Sequence, residues 1–370
     1  MRRITIVYDG TLYTYKWIKA LYWFKKQFHK EGVCVEFINW KSFFPISSFA
    51  KGQIDTVLST LDSHTFDVIV VAFHYSISNF ANQKGLSKIE LLKLFKERCQ
   101  KLVWLDTADS TGNCLFEVMP YVDIYLKKQI LRDISLYSEN LYGTKYFIDY
   151  YHKKLGIEDK QLEVDYTPLE PKYYNKLKLS WNIGLSDFWG KSYFCYFRPG
   201  SIPIPKMTDV YKYRKTNMFF NGTLKYSPLS EYQRRITIEK MSGDKRICEP
   251  SPVMKMSHEQ YVHYMKDSKT AISPFGWGEI CYRDFEAFVY GATLVKPDMS
   301  QISTFPEFFI KGETYVSIDW DFTNFETIID GIGSKEYKAI AQKGQDLYNY
   351  YLNSIDGKKE IVKHIVSVLL

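Results

Sequence analysis

The sequence has no Cys-x-x-Cys pair. Its six cysteines, Cys34, Cys99, Cys114, Cys195, Cys248 and Cys281, are scattered over 370 residues. That scatter fits reduced thiols inside a fold and excludes a zinc knuckle or a disulfide frame. No apolar run reaches the ~20 residues that span a bilayer. Met1 to Asp9 read straight into a strand and lack the apolar segment of a secretory leader. The expectation is a cytoplasmic protein, with peripheral contact at the inner face of a membrane as the further option. There is no dense basic run and no nucleic-acid-binding motif, which argues against DNA or RNA as a partner. Internal repeats and low-complexity segments are also missing.

What is present is the composition of a globular enzyme-sized chain. Hydrophobic residues make up 45% and charged residues 25%, and the length suffices for two domains of ordinary size. The net charge of +7 is mild and suits an anionic small molecule or an acidic membrane surface. Tyrosine, at 30, and phenylalanine, at 25, are abundant. Aromatic sugar-binding clefts and an AT-rich codon bias are both explanations.

Strand and helix patterns alternate along the chain. Ile4 to Tyr8 reads as a strand ending at Asp9. Leu12 to His29 has helical periodicity, with Trp17, Leu21, Phe24 and Phe28 on one face and Lys16, Lys19, Lys25, Lys26 and Lys30 on the other. Val33 to Ile38 and Phe66 to Phe73 read as strands; the second is a continuous apolar run but for Asp67, as in a buried parallel sheet. Leu86 to Cys99 reads as a helix, Lys101 to Leu105 and Val122 to Tyr125 as strands. Lys145 to Lys154 and Leu177 to Phe188 read as helices. Such alternation on short loops predicts an α/β fold with doubly wound parallel sheets. Ligands in these sheets bind beyond the carboxyl ends of the strands. Asp9, His74, Asp106, Asp109 and Lys127 all fall there. Each also has a plainer reading, as a helix cap or a loop residue.

Pro199-Gly-Ser-Ile-Pro203-Ile-Pro205 is the strongest breaker cluster. It divides the chain into an N-terminal domain over 1–198, a linker over 199–216 and a C-terminal domain over 217–370, whose terminal helices are free to cross back. The second half opens with a strand over Asn217 to Asn221, then Gly222. Arg234 and Arg235 begin a helix, and Ser257 caps another that runs through Lys266.

The most informative run is Ser273-Pro-Phe-Gly276-Trp-Gly278-Glu279, continuing through Arg283, Glu286 and Gly291 to Lys296. It reads as strand end, Gly-rich turn, helix from about Glu279 to Tyr290, turn at Gly291, and strand over Ala292 to Val295. A helix start behind a Gly turn presents free N–H groups and the positive end of a dipole to an anion. Arg283 adds a planar fork suited to phosphate oxygens. Glu286 follows it by one turn, so the two can share a face. A surface Arg–Glu pair is the plainer reading.

The run Pro-x-Gly-x-Gly-x-x-x-x-Arg-x-x-Glu-Ala-x-x-x-Gly is similar to the donor-site signature of glycosyltransferases with two Rossmann-like domains, the GT-B fold. It most resembles the exostosin-like and bacterial group 1 glycosyltransferases. The resemblance implies two such domains facing across a cleft, with the donor on the second and the acceptor on the first. It implies that Arg283 and Glu286 hold the diphosphate and ribose of a sugar nucleotide above Gly276 and Gly278. It places the Gly222 loop near the diphosphate and makes Arg234 or Arg235 a further donor contact. Arg283, Lys296 and the helix start would stabilise the departing diphosphate in place of a metal, so neither metal nor cofactor is expected. The acceptor would be a glycan or lipid-linked glycan, in bacterial surface polysaccharide synthesis.

One departure matters. Retaining members carry two glutamates eight positions apart, and counting back from Glu286 lands on Gly278; Glu279 is seven away. This tilts the expectation to inversion, with Asp109, then Asp106, then His74 as the base. Under retention Glu279 would support the transferring sugar. The competing classes are a non-catalytic nucleotide- or sugar-binding module and a sugar-nucleotide epimerase or phosphorylase. Asp319-Trp-Asp321 has the spacing of a metal-binding triplet, but it lies after the donor helix and reads as a strand end and cap.

Overall fold

The computed structural model describes residues 1–9, 11–39, 65–73, 87–160, 167–186, 206–225, 227–247 and 254–370. His74, Cys195, Cys248 and the breaker cluster at 199–205 lie outside them.

The first half contributes β1 (Arg2–Tyr8), α1 (Leu12–Trp23), α2 (Lys25–Lys30), β2 (Val33–Asn39), β3 (Phe66–Ala72), α3 (Lys88–Lys96), β4 (Cys99–Asp106), β5 (Ile124–Lys127), β6 (Gln129–Leu131), α4 (Tyr146–Leu155) and β7 (Leu177–Leu179). Six of its strands form one sheet in the order β2-β1-β3-β4-β5-β7, parallel throughout. Six of the seven residues of β3 are buried, because helices cover both faces of a parallel sheet.

The second half contributes β8 (Thr216–Phe219), α5 (Tyr232–Gly243), α6 (His258–Asp267), β9 (Ser268–Ile272), α7 (Tyr282–Tyr290), β10 (Thr293–Pro297), β11 (Ile302–Thr304), β12 (Val316–Ile318), α8 (Phe325–Gly331), α9 (Lys335–Asn353) and α10 (Ile355–Leu369). Four strands make a separate sheet, β12-β10-β9-β8, again parallel. Two parallel α/β sheets, each flanked by helices, are the two Rossmann-like domains implied by the GT-B resemblance.

Several local expectations meet their chemistry. Ser257 caps α6 in a reciprocal box with Gln260. Gly291 ends α7 in the left-handed region, at φ 69°. Others differ. The segment after Leu177 is a strand followed by a short turn, not a helix. Its apolar residues Leu177, Leu179 and Trp181 recur every second position, which is a strand period. Helix α7 begins at Tyr282 instead of Glu279, because the Asp284 carboxylate reaches back to the Cys281 N–H and fixes the start there. Lys19, expected on the solvated face of the first helix, is buried, with its ammonium on the Tyr15 hydroxyl at 2.9 Å.

Contacts outside the two sheets join the halves. β6 pairs antiparallel with β11. The Asn182 N–H donates to the Phe305 carbonyl. The last helix, α10, packs on α2. Its His364 places Nε2 3.0 Å from the carbonyls of Leu179 and Ser180 and stacks on Phe305 at 3.7 Å.

Burial holds the His364 pKa below its ordinary 6.5. The unfolded chain therefore binds this proton more readily, and stability falls as pH drops below about 6.5. Urea titrations from about pH 8 to about pH 5 should show that loss, and His364→Gln should lack this part of it. An unchanged pH profile in the variant would contradict the assignment.

Candidate functional site

The Gly-rich turn between β9 and α7 is built from below by a buried ion pair. Lys296, on β10, meets the Asp284 carboxylate at 2.9 Å, and neither side chain reaches solvent. The same ammonium donates to the Glu279 carbonyl at 2.5 Å and lies between the Phe275 and Phe309 rings, 5.4 Å from each. Ser273 donates to the other Asp284 oxygen at 2.5 Å. Lys296 was expected to face a departing diphosphate. Its charge instead meets the Asp284 carboxylate in the first turn of α7 and the turn's own backbone.

Above that pair the turn is crowded by partners that only glycine admits. A Cβ on Gly276 would sit 2.1 Å from the Arg234 guanidinium. One on Gly278 would sit 1.8 Å from the Asp109 carbonyl oxygen of the first domain. The Phe275 N–H donates to Gln233 Oε1 at 2.8 Å, which ties the turn to α5.

Two successive arginines on α5 separate here. Arg234 lies over the turn and donates to the Thr223 carbonyl at 3.1 Å, in the loop that follows Gly222. Arg235 points outward and pairs with Glu231 at 2.7 Å, one helical turn back. Of the two alternatives for a donor contact, Arg234 is therefore at the turn and Arg235 belongs to the surface of the helix.

Arg283 leaves the first turn of α7 and stacks on Phe220, 4.7 Å from the ring centre. Its Nη2 donates to the Asn221 carbonyl at 2.8 Å, next to Gly222. Its Nε and Nη1 are buried without a hydrogen-bond partner among the described residues. Glu286 accepts from the Tyr261 hydroxyl at 2.6 Å. Burial pushes its carboxyl above the ordinary range, against the pull of Tyr261 and Arg283. Among the described residues no ion pair joins Arg283 to Glu286, so the plain surface-pair reading does not hold.

The first domain meets the turn with the loop after β4. Asp106 is buried, and its carboxylate takes the Lys127 ammonium at 2.9 Å, the Tyr125 hydroxyl and the Ala108 N–H at 2.7 Å. With both oxygens committed away from solvent, Asp106 does not serve as a base for an acceptor. Asp9 is likewise occupied, by Thr11 and Thr14 at the start of α1. Asp109 differs. Its side chain keeps 36% of its surface exposed, with the Tyr13 hydroxyl at 2.7 Å and the Lys128 ammonium at 2.5 Å. Burial works to raise its pKa, but Lys128 and these hydrogen bonds outweigh it and hold the carboxyl below the usual range.

Glu279 makes a buried polar contact between the halves. It is 2% exposed and accepts from the Thr111 N–H at 3.0 Å, the Thr111 hydroxyl at 2.6 Å and Gln129 Nε2 at 2.6 Å. Expected to support the transferring sugar only under retention, its carboxylate here fastens the turn to the first domain. Lys145, at the start of α4, donates to the Trp277 carbonyl at 2.8 Å from the same side. Asp321 pairs with Lys154 and Asp319 accepts from Thr323 at 2.5 Å. The cap position of α8 is Asn324, not either aspartate. No group of His, Cys, Asp and Glu fit to hold a metal occurs among the described residues.

No family model matches the chain, and no curated protein matches it. Among solved structures it is similar to Anabaena HepE in complex with UDP, at 10% identity and a TM-score of 0.40, covering 99% of this chain and 100% of that one. It is also similar to an alpha-glucosyltransferase in complex with UDP, at 13% identity and 0.47, with 99% and 100% covered. A third is MurG of Acinetobacter baumannii, at 9% identity and 0.39, with the same coverage. The two-sheet architecture rests on the chain's own strand order.

The Glu279 contact has a measurable consequence. Glu279→Ala strands three buried donors and should lower unfolding stability by about 2–4 kcal/mol in urea titrations, with Glu279→Gln recovering part. Stability unchanged in Glu279→Ala would contradict the fastener.

Proposed function

We propose that the chain is a glycosyltransferase. It moves a sugar from a nucleotide-activated donor to a glycan or lipid-linked glycan in surface polysaccharide synthesis, with inversion and without a metal. The observation that carries this is Arg283. A guanidinium buried against Phe220 with Nε and Nη1 unmatched among the described residues is costly. It stands where the Gly turn, the α7 start and Arg234 also favour an anion, and a diphosphate supplies the missing acceptors. Glu286, positioned by Tyr261, suits ribose hydroxyls. The commitment of Glu279 to the first domain supports inversion, since it takes no part at the sugar.

In this reading the bond between the sugar's anomeric carbon and the donor phosphate oxygen breaks, and the electron pair leaves with the diphosphate. The acceptor oxygen bonds to that carbon, and its proton passes to Asp109. Asp109 is ionised at neutral pH, and part of its side chain is exposed for an acceptor to approach. Arg283 and Arg234 take up the charge that the leaving diphosphate gains. The chain works at the cytoplasmic face of a membrane. Among the described residues no helix is long and apolar enough to cross one, while Lys25, Lys26 and Lys30 are exposed together on α2 and suit an anionic surface. Co-sedimentation with vesicles rich in anionic lipid, lost in Lys25→Glu/Lys26→Glu, is expected; no sedimentation of the wild type would remove this placement.

Titration with UDP, GDP and CMP, together with donor hydrolysis assays, tests the main reading. Arg283→Ala should weaken nucleotide binding and lower kcat, by about 2–4 kcal/mol in total. Arg283→Lys should not restore it, because a point charge lacks the fork. Asp109→Asn should cut turnover at least roughly 100-fold while leaving donor affinity nearly unchanged. Binding without turnover in the wild type would favour a binding module, and wild-type constants in Arg283→Ala would refute the donor site.

A further inference from the structure

Four lysines are buried where the domains meet. Lys127 pairs with Asp106, Lys128 with Asp109 and Lys296 with Asp284, each within 2.9 Å. Lys145 is 2% exposed and has no carboxylate within ion-pair reach among the described residues. An ammonium can donate three hydrogen bonds. Lys145 makes one, to the carbonyl of Trp277, the central residue of the Gly276–Gly278 turn, and its ammonium lies 4.1 Å from the Trp277 ring centre.

The backbone that delivers it is strained. Thr144, a β-branched residue, sits in the left-handed region at φ 64°, which such residues avoid. Its hydroxyl donates to the Asn113 side chain at 2.8 Å. Its carbonyl lies so close to Gly112 that a Cβ there would meet the oxygen at 2.0 Å. Helix α4 starts immediately after Lys145, so its free N–H end faces the same region. A plain helix start needs neither the strain nor a buried, unpaired cation.

We propose, resting on the donor-site reading above, that Lys145 is the first domain's contact with the donor. Its ammonium binds the diphosphate at the Gly276–Gly278 turn and neutralises the charge gained on leaving. It keeps its protons throughout: the departing oxygen retains the electron pair, and the acceptor's proton goes to Asp109. The diphosphate site is then complete only with both domains in contact.

The surroundings support an ionisation that a ligand would shift. Burial lowers the Lys145 pKa to about 8, while Glu279 and Asp109 pull it up and Lys127 pushes it down. Glu279 is already saturated by Thr111 and Gln129, and one oxygen of Asp109 is taken by Lys128 and Tyr13. A diphosphate would raise the pKa again. Binding above about pH 8 should therefore take up a proton.

Titration calorimetry of the full chain with UDP and GDP from about pH 7 to about pH 9.5 tests this. In the wild type the affinity should be level below about pH 8 and fall toward tenfold per pH unit above it, with proton uptake visible across buffers of different ionisation heat. Lys145→Met should bind at least tenfold more weakly at neutral pH and lose the proton uptake. Lys145→Arg, which stays charged, should recover most of the neutral affinity with no fall. If Lys145→Met does not fold by circular dichroism, Lys145→Arg decides, because a fall that persists there overturns the proposal. Matching profiles in wild type and Lys145→Met overturn the lysine's role and leave the donor site standing. No UDP or GDP binding by the wild type overturns both.

Discussion

Glu279 leaves the Gly-rich turn of the second domain and ends among Thr111 and Gln129 of the first. A buried carboxylate is tolerated only when its hydrogen bonds are made, so this side chain holds the two halves in one register. The rest of the site is arranged around that register. Asp109 touches Gly278 because of it, and Lys145 reaches Trp277. Beneath, the Lys296–Asp284 pair fixes the turn to β10 and α7. The turn is thus held from both domains and from below, and what it presents upward is backbone.

The cations near the turn fall into two groups. Lys127, Lys128 and Lys296 each neutralise a carboxylate and stiffen a loop. Arg283 and Lys145 have no carboxylate within ion-pair reach among the described residues. Placing uncompensated positive charge in a half-dry region costs stability in the absence of an anion, and it also attracts one. The same division separates structural aspartates from the exposed one: Asp9 and Asp106 are saturated, whereas Asp109 keeps an open face.

Much of the fold was legible from apolar patterning. Continuous apolar strands such as Phe66 to Ala72 marked a parallel sheet, and Gly291 and Ser257 marked helix ends through chemistry that is local. The motif around Arg283 and Glu286 was legible for the same reason, since its spacing lies within one turn and one helix. What was not legible is whatever depends on a partner far along the chain. Lys296 and Glu279 read as free to meet a ligand, yet Asp284 claims the first, and Thr111 and Gln129, more than a hundred residues away, claim the second. Lys145 carried no signal at all beyond a helix start. Only tertiary contact shows that it reaches Trp277. The Leu177 segment was misread because a three-residue strand at a sheet edge is too short for its period to stand out against a helix.

The most direct measurement is a crystal structure of the chain with a nucleoside diphosphate, UDP first and GDP second. The account predicts the diphosphate above Gly276 to Gly278, with oxygens accepting from Arg283 Nε and Nη1 and the ribose hydroxyls on Glu286. A nucleotide bound elsewhere, with those two arginine N–H groups still unmatched, would contradict it.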